Sequence, residues 1–247
     1  MSYQDHFKTY GYAIIPQVYT DITPIQQALD SLVATEDTSI YYYYDAKPEQ
    51  PTETVLTRIE HFLLESAVLS TLLWTPEIQA ILTTVLGEDP VLFKDKLNFK
   101  LPGGMPDLLH QDQAAGWYAY ADYFVLAAVF IDDNTRHNAA MSVLNTGDYP
   151  QSLMTDAWTL MQNPEPPFKP ASDYRLLEGK AGDVVLFDSY IPHGSPSNTS
   201  LHPRRTAFIT VNRASAGTFR DQYYADKCKT YPPNNRRDPM KQYRYIV

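Results

Sequence analysis

The chain of 247 residues contains a single cysteine, Cys228. That excludes a framework of internal disulfides and points to a reducing compartment. Long apolar runs are also missing. The longest uncharged one, Tyr123 to Ile131, falls far short of the roughly 20 residues a membrane-spanning helix needs. Basic charge is in deficit: 20 Lys and Arg stand against 29 Asp and Glu, a formal net charge of −9 with a sequence pI near 5.1. Such a balance argues against a nucleic-acid-binding surface. The opening MSYQDHFKTYGYAIIP has neither the basic region nor the long apolar region of a secretory signal. No repeat and no low-complexity segment interrupts the chain. The expectation is a folded cytoplasmic protein with no nucleic-acid or membrane partner, working as a monomer or a homodimer.

What is present divides into a helical first part and a strand-rich second part. Tyr12 to Ile15 is a short β-prone run. Pro24 after Thr23 opens a helix over Ile25 to Val33. Tyr41 to Tyr44, four tyrosines in a row, read either as an edge strand with half-buried rings or as an aromatic wall against a substrate. The spacing of Leu56, Ile59, Phe62, Leu63, Val68, Leu69 and Leu72 predicts a helix over Thr54 to Leu73. Thr75-Pro76-Glu77 caps another, ending at Gly87.

From Val91 the pattern alternates. Lys94, Lys96, Asn98 and Lys100 share one face, Leu97 and Phe99 the other. Further strands are expected at Phe124 to Ile131, Ala139 to Leu144, Asp183 to Phe187 and Thr206 to Val211. The proline-rich NPEPPFKP belongs to a longer loop. Helices before many even strands predict an α+β, mainly β, protein: a double-stranded β-helix (jelly-roll) core under an N-terminal helical layer. A single domain over 1–247 follows, with the layer at about 21–87, the core at about 91–212 and a C-terminal tail at 213–247.

The chemistry concentrates in LPGGMPDLLHQDQAAGW. On an extended strand His110 and Asp112 project to one side. His193, in IPHGSPSN, can complete two imidazoles and one carboxylate about a metal. This 2-His-1-carboxylate set leaves coordination positions open and is typical of non-haem Fe(II) oxygenases. Trp117, Tyr118 and Tyr120, just past the ligands, are the substrate-side candidates. The tail residues Arg220, Lys227, Arg236, Arg237 and Lys241 read as surface charge or, alternatively, as a site for an anionic group of the substrate.

KLPGG with HQD, Gly182 to Phe187, His193-Gly194-Ser195 and Arg204 to Phe208 together resemble the phytanoyl-CoA dioxygenase family, best over about Val91 to Asn212. The resemblance implies a double-stranded β-helix using Fe(II), 2-oxoglutarate and O2 to oxidise an unactivated C–H bond of a small molecule, with release of succinate and CO2. It implies iron on His110, Asp112 and His193. It places the cosubstrate's far carboxylate on Arg204, eleven residues after His193, with Ser195 donating to it and Lys100 and Lys96 on the adjoining strand. Arg204 and Arg205 point to opposite faces, so only one can serve. Asp112 favours hydroxylation, since related halogenases lack that carboxylate. Two other classes are compatible with the HxD and distal His: a jelly-roll isomerase or hydrolase that does not use 2-oxoglutarate, and a non-catalytic jelly-roll binding protein.

Overall fold

The computed structural model describes residues 1–47, 50–149 and 171–243. The proline-rich loop NPEPPFKP lies outside them. Five helices occur among the described residues: α1 (Tyr3–Tyr10), α2 (Thr23–Thr35), α3 (Ala67–Leu73), α4 (Pro76–Leu86) and α5 (Arg220–Thr230). Eleven strands accompany them: β1 (Tyr12–Ile15), β2 (Tyr41–Lys47), β3 (Gln50–Glu60), β4 (Pro90–Lys100), β5 (Asp107–His110), β6 (Val125–Phe130), β7 (Ser142–Leu144), β8 (Tyr174–Leu176), β9 (Val184–Asp188), β10 (His193–Ser195) and β11 (Arg204–Arg213).

The strands make two antiparallel sheets, seven in the order β1-β9-β6-β11-β4-β3-β2 and four in the order β5-β10-β7-β8. The large sheet has two differently dressed faces because side chains alternate along each strand. One face carries Ile59, Leu97, Ala207 and Ile209, which pack with Leu29, Leu73 and Leu82 of the helices. The opposite face carries Phe208, Phe187 and Phe93 into a second apolar cluster. Every residue of β6 is buried, as a strand covered on both sides requires.

α4 follows its sequence signals. Thr75 accepts from the Ile78 N–H, Pro76 takes the first turn and Gly87 closes the helix at φ +76°.

The helix expected over Thr54 to Leu73 does not form. Residues up to Glu60 are the strand β3, and a helix begins only at Ala67, with Ser66 as its N-cap. Thr54, Val55, Thr57 and Ile59 are β-branched. Pairing with β2 on one side and β4 on the other supplies the ladder that overrides an apolar spacing of three. The layer at 21–87 is therefore interrupted by two strands that widen the large sheet.

Tyr41 to Tyr44 lie on the edge strand β2. Tyr42 faces the helix-side cluster, Tyr41 and Tyr43 the other. The tail also departs from expectation. α5 packs on β4, and its Tyr223 and Tyr224 are buried.

Candidate active site

A cavity of about 770 Å³ opens between the two sheets. The polar face of β4 forms one wall, so the lysines there look inward rather than into bulk water. Lys96, Asn98 and Lys100 all line it. Antiparallel register places Arg204 of β11 across from Lys100 and Phe208 across from Lys96. β3 sets Arg58 opposite Asn98 and Glu60 opposite Lys96.

The opposite wall carries the candidate metal ligands. β5 and β10 pair with His110 and His193 in register, and their rings lie 4.2 Å apart. Asp112 stands just beyond β5 rather than on it. Gln111 is the last extended residue, and Asp112 opens a short 3-10 turn. Its carboxylate reaches both imidazoles: Oδ1 lies 3.7 Å from His110 Nε2 and Oδ2 lies 3.7 Å from His193 Nε2. All three side chains are buried, and their ligand atoms lie within 4.8 Å of one another. Nδ1 of His110 is 2.6 Å from the Leu108 carbonyl, and Nδ1 of His193 is 2.9 Å from that of Ile191. A carbonyl only accepts, so each Nδ1 carries the proton and each Nε2 presents a lone pair to the centre. Burial, with His193 beside it, pushes His110 down to about 4 despite Asp112. It is thus a neutral imidazole ready to ligate. The donor set, tautomers and burial fit an Fe(II) ion.

Further along β5 and β10, in the same cavity, lies a group of polar side chains. Lys100 donates to the Asp107 carboxylate at 2.9 Å and Ser195 donates to it at 2.6 Å. Burial alone would raise Asp107; Lys100, Ser195 and Arg204 reverse this and hold it well below the carboxylate range. Arg204 is buried and donates from Nη1 to Asn134 at 3.2 Å. Its Nε is buried without a hydrogen-bond partner among the described residues, and the residue lines the cavity. An orphaned guanidinium donor facing a cavity suits a carboxylate. Arg205 turns to the other side and binds Asp132 and Asp30.

The expected substrate-side residues are not brought to this site. Trp117, Tyr118 and Tyr120 are absent from the residues lining the cavity. Gly116, at φ +89°, turns the chain away from the ligands. Trp117 then packs against Phe93 and Phe124, Tyr118 is 66% exposed, and Tyr120 donates to Asp226. None of the four tyrosines of β2 lines the cavity either; Asp45 and Ala46 do.

Other residues were missed from sequence. Arg58, Asp107 and Tyr231 line the cavity. Glu60 is fully buried, with Arg58 Nε at 3.1 Å, Lys227 Nζ at 2.5 Å and Lys94 Nζ at 3.9 Å. Lys227 and Arg220, expected at the surface, are buried partners of Glu60 and Asp95. The alternation of Arg58 with Ile59 and Glu60 was the available signal, obscured by the helical reading of that segment.

A buried HxD and distal His at the mouth of an antiparallel double-sheet barrel, facing an orphaned arginine, define the class of non-haem Fe(II)- and 2-oxoglutarate-dependent oxygenases. The family model for phytanoyl-CoA dioxygenase matches residues 7–206, and the chain belongs to that family. It is 34% identical over 195 residues to a 2-aminoethylphosphonate dioxygenase of an uncultured bacterium (HF130_AEPn_1), covering 77% of this chain and 72% of the relative. It is 25% identical over 233 residues to a methylphosphonate hydroxylase of Gimesia maris, covering 92% and 86%. Among solved structures, EctD from S. alaskensis with 2-oxoglutarate and 5-hydroxyectoine superposes with a TM-score of 0.68 at 21% identity, over 86% of this chain and 76% of that one. The epimerase SnoN in complex with Fe3+, alpha ketoglutarate and nogalamycin RO gives 0.68 at 17% identity, over 99% and 94%. Those two likenesses concern the fold. The protein is an Fe(II)- and 2-oxoglutarate-dependent dioxygenase. No helix among the described residues is long and apolar enough to cross a membrane.

Proposed function

We propose that His110, Asp112 and His193 hold the iron, that Arg204, Ser195 and Lys100 receive the far carboxylate of 2-oxoglutarate, and that the substrate is a small alkylphosphonate or close analogue hydroxylated at carbon. One observation supports the assignment above others: three ligand atoms converge within 4.8 Å on a cavity that also holds the unpartnered Nε of Arg204. The substrate class rests on the names of the two relatives above. Iron with 2-oxoglutarate and O2 supplies an oxidant able to break an unactivated C–H bond, with succinate and CO2 released.

The chain's own residues do the positioning. The Leu108 and Ile191 carbonyls orient the two imidazoles. Lys100 and Ser195 already share a carboxylate, that of Asp107, and so have the geometry to share another. Phe208, Met141 and Tyr231 line the cavity and help keep water from the reacting carbon once substrate is seated. Residues 1–247 act as one dioxygenase domain in the cytoplasm, as a monomer or homodimer, consistent with the lone cysteine.

The test is an anaerobic titration of metal-free protein with Fe(II) and 2-oxoglutarate, followed by the weak visible charge-transfer band of the chelate. The band is expected in the wild type and lost in Asp112→Ala. Fe(II) binding without the band in the wild type would overturn the reading in favour of a metal-dependent jelly roll that does not use 2-oxoglutarate.

A further inference from the structure

The cavity that holds the metal ligands is also lined by cations of β3 and β4, Arg58 and Lys96 among them. Arg58, Lys94 and Lys227 converge on one buried carboxylate, Glu60. Lys96 stands directly across from Glu60 in register and lines the cavity. Among the described residues its ammonium makes no ion pair or hydrogen bond; it rests on the Phe208 ring, 4.7 Å from the centroid. Tyr43 and Tyr231 cover the Arg58 guanidinium at 4.4 and 5.8 Å, fixing it at the cavity edge.

The next acid, Asp112, is engaged with the two imidazoles, and Asp107 belongs to Lys100 and Ser195. With iron and 2-oxoglutarate in place, the charges at those sites cancel: Fe(II), Lys100 and Arg204 against Asp107, Asp112 and two carboxylates. A lysine ammonium on the cavity wall, with no ion pair among the described residues and only an aromatic ring beside it, suits an anionic ligand.

We infer that Lys96, seconded by Arg58, binds an oxyanion group of the prime substrate, a phosphonate or a similarly compact dianion, and so determines substrate rather than cosubstrate binding. The strand fixes the distance. Lys96 and Lys100 are four residues apart on one face of β4, a backbone separation of roughly 13 Å at 3.3 Å per residue, and Lys100 is already engaged with Asp107. The metal ligand Asp112 lies within electrostatic reach of Lys96. An anion seated there would therefore lie in the same cavity as the metal ligands. The inference rests on the dioxygenase reading above.

The experiment uses the Fe(II)- and 2-oxoglutarate-loaded protein under anaerobic conditions. Methylphosphonate, 2-aminoethylphosphonate and inorganic phosphate serve as probes, binding being followed by calorimetry and by perturbation of the charge-transfer band. The wild type is expected to bind at least one probe, more weakly as salt is raised. Lys96→Gln should weaken that binding at least tenfold and Lys96→Arg no more than about threefold, with 2-oxoglutarate affinity within about twofold in both. The band itself reports that each variant is folded. If Lys96→Gln instead weakens 2-oxoglutarate, or leaves probe binding unchanged, or if the wild type binds none of the three, the inference is overturned while the dioxygenase reading stands. If the wild type forms no band, both fall.

Discussion

Arg204 carries its guanidinium into the cavity, where Asn134 accepts one hydrogen bond, while Arg205 turns outward to Asp132 and Asp30. Strand alternation alone separates the two, and it makes the neighbours a matched pair of controls. Lys in place of Arg204 keeps the charge but loses the planar two-pronged donor, a difference of about 2 kcal/mol. Arg204→Lys is therefore expected to raise the KM for 2-oxoglutarate about 30-fold. Arg205→Lys should leave it unchanged. Steady-state kinetics with 2-oxoglutarate as the varied substrate checks both. A rise confined to Arg205→Lys would assign the role to the wrong neighbour. Asp112 could be found from sequence although its setting was misjudged: it sits on a turn past the strand end, and the extended Gln111 before it preserves the two-residue offset that alternation demands.

β3 and α5 show how elements far apart in the chain build one wall. Glu60 ends β3, and Lys227 lies on α5, 167 residues later. Burial alone would raise the Glu60 carboxyl; Lys227, Lys94 and Arg58 hold it well below its ordinary range. Neutralising that carboxylate removes a buried partner shared by three cations, so Glu60→Gln should destabilise the fold by about 3–5 kcal/mol. Lys227→Met leaves Glu60 with Arg58 and Lys94 and should cost less, about 1–2 kcal/mol. Urea unfolding of the two variants gives the comparison. Equal losses would mean that the cluster stabilises through packing and not through charge. The same contact explains why the tail could not be read from its residues: Arg220 and Lys227 look like surface charge until a buried acid is brought to each.

At the scale of the whole molecule, Asp188 ties the end of β9 to the turn that carries His193. Its Oδ1 accepts from the N–H groups of Tyr190 and Ile191 at 2.9 Å, and the Ile191 carbonyl in turn orients His193. Burial raises its carboxyl to about 6 in spite of the N–H donors and the Tyr149 and Tyr123 hydroxyls. A carboxyl raised on folding contributes stability that is complete below the unfolded value near 3.9 and is lost as pH rises through about 6. Unfolding free energy measured from pH 4 to 8 should therefore fall by up to about 3 kcal/mol from this group. Asp188→Asn should flatten that part of the profile and be the more stable protein at pH 8. A variant with an unchanged slope would place the titration elsewhere.

What local order encodes was legible in the chain: the offset of His110 from Asp112, the alternation along β4 and the caps of α4. These depend on bond geometry and on neighbours two to four positions away, which no tertiary contact is needed to set. Only the folded molecule decided that Thr54 to Glu60 would be a strand, since the ladders of β2 and β4 outweigh a weak helical periodicity. It alone turned Trp117, Tyr118 and Tyr120 away from the cavity at Gly116, and it alone gathered Arg58, Glu60, Lys94 and Lys227 into one buried cluster. Burial and pairing of charge are properties of space, and residues that meet across 167 positions leave no local pattern to read.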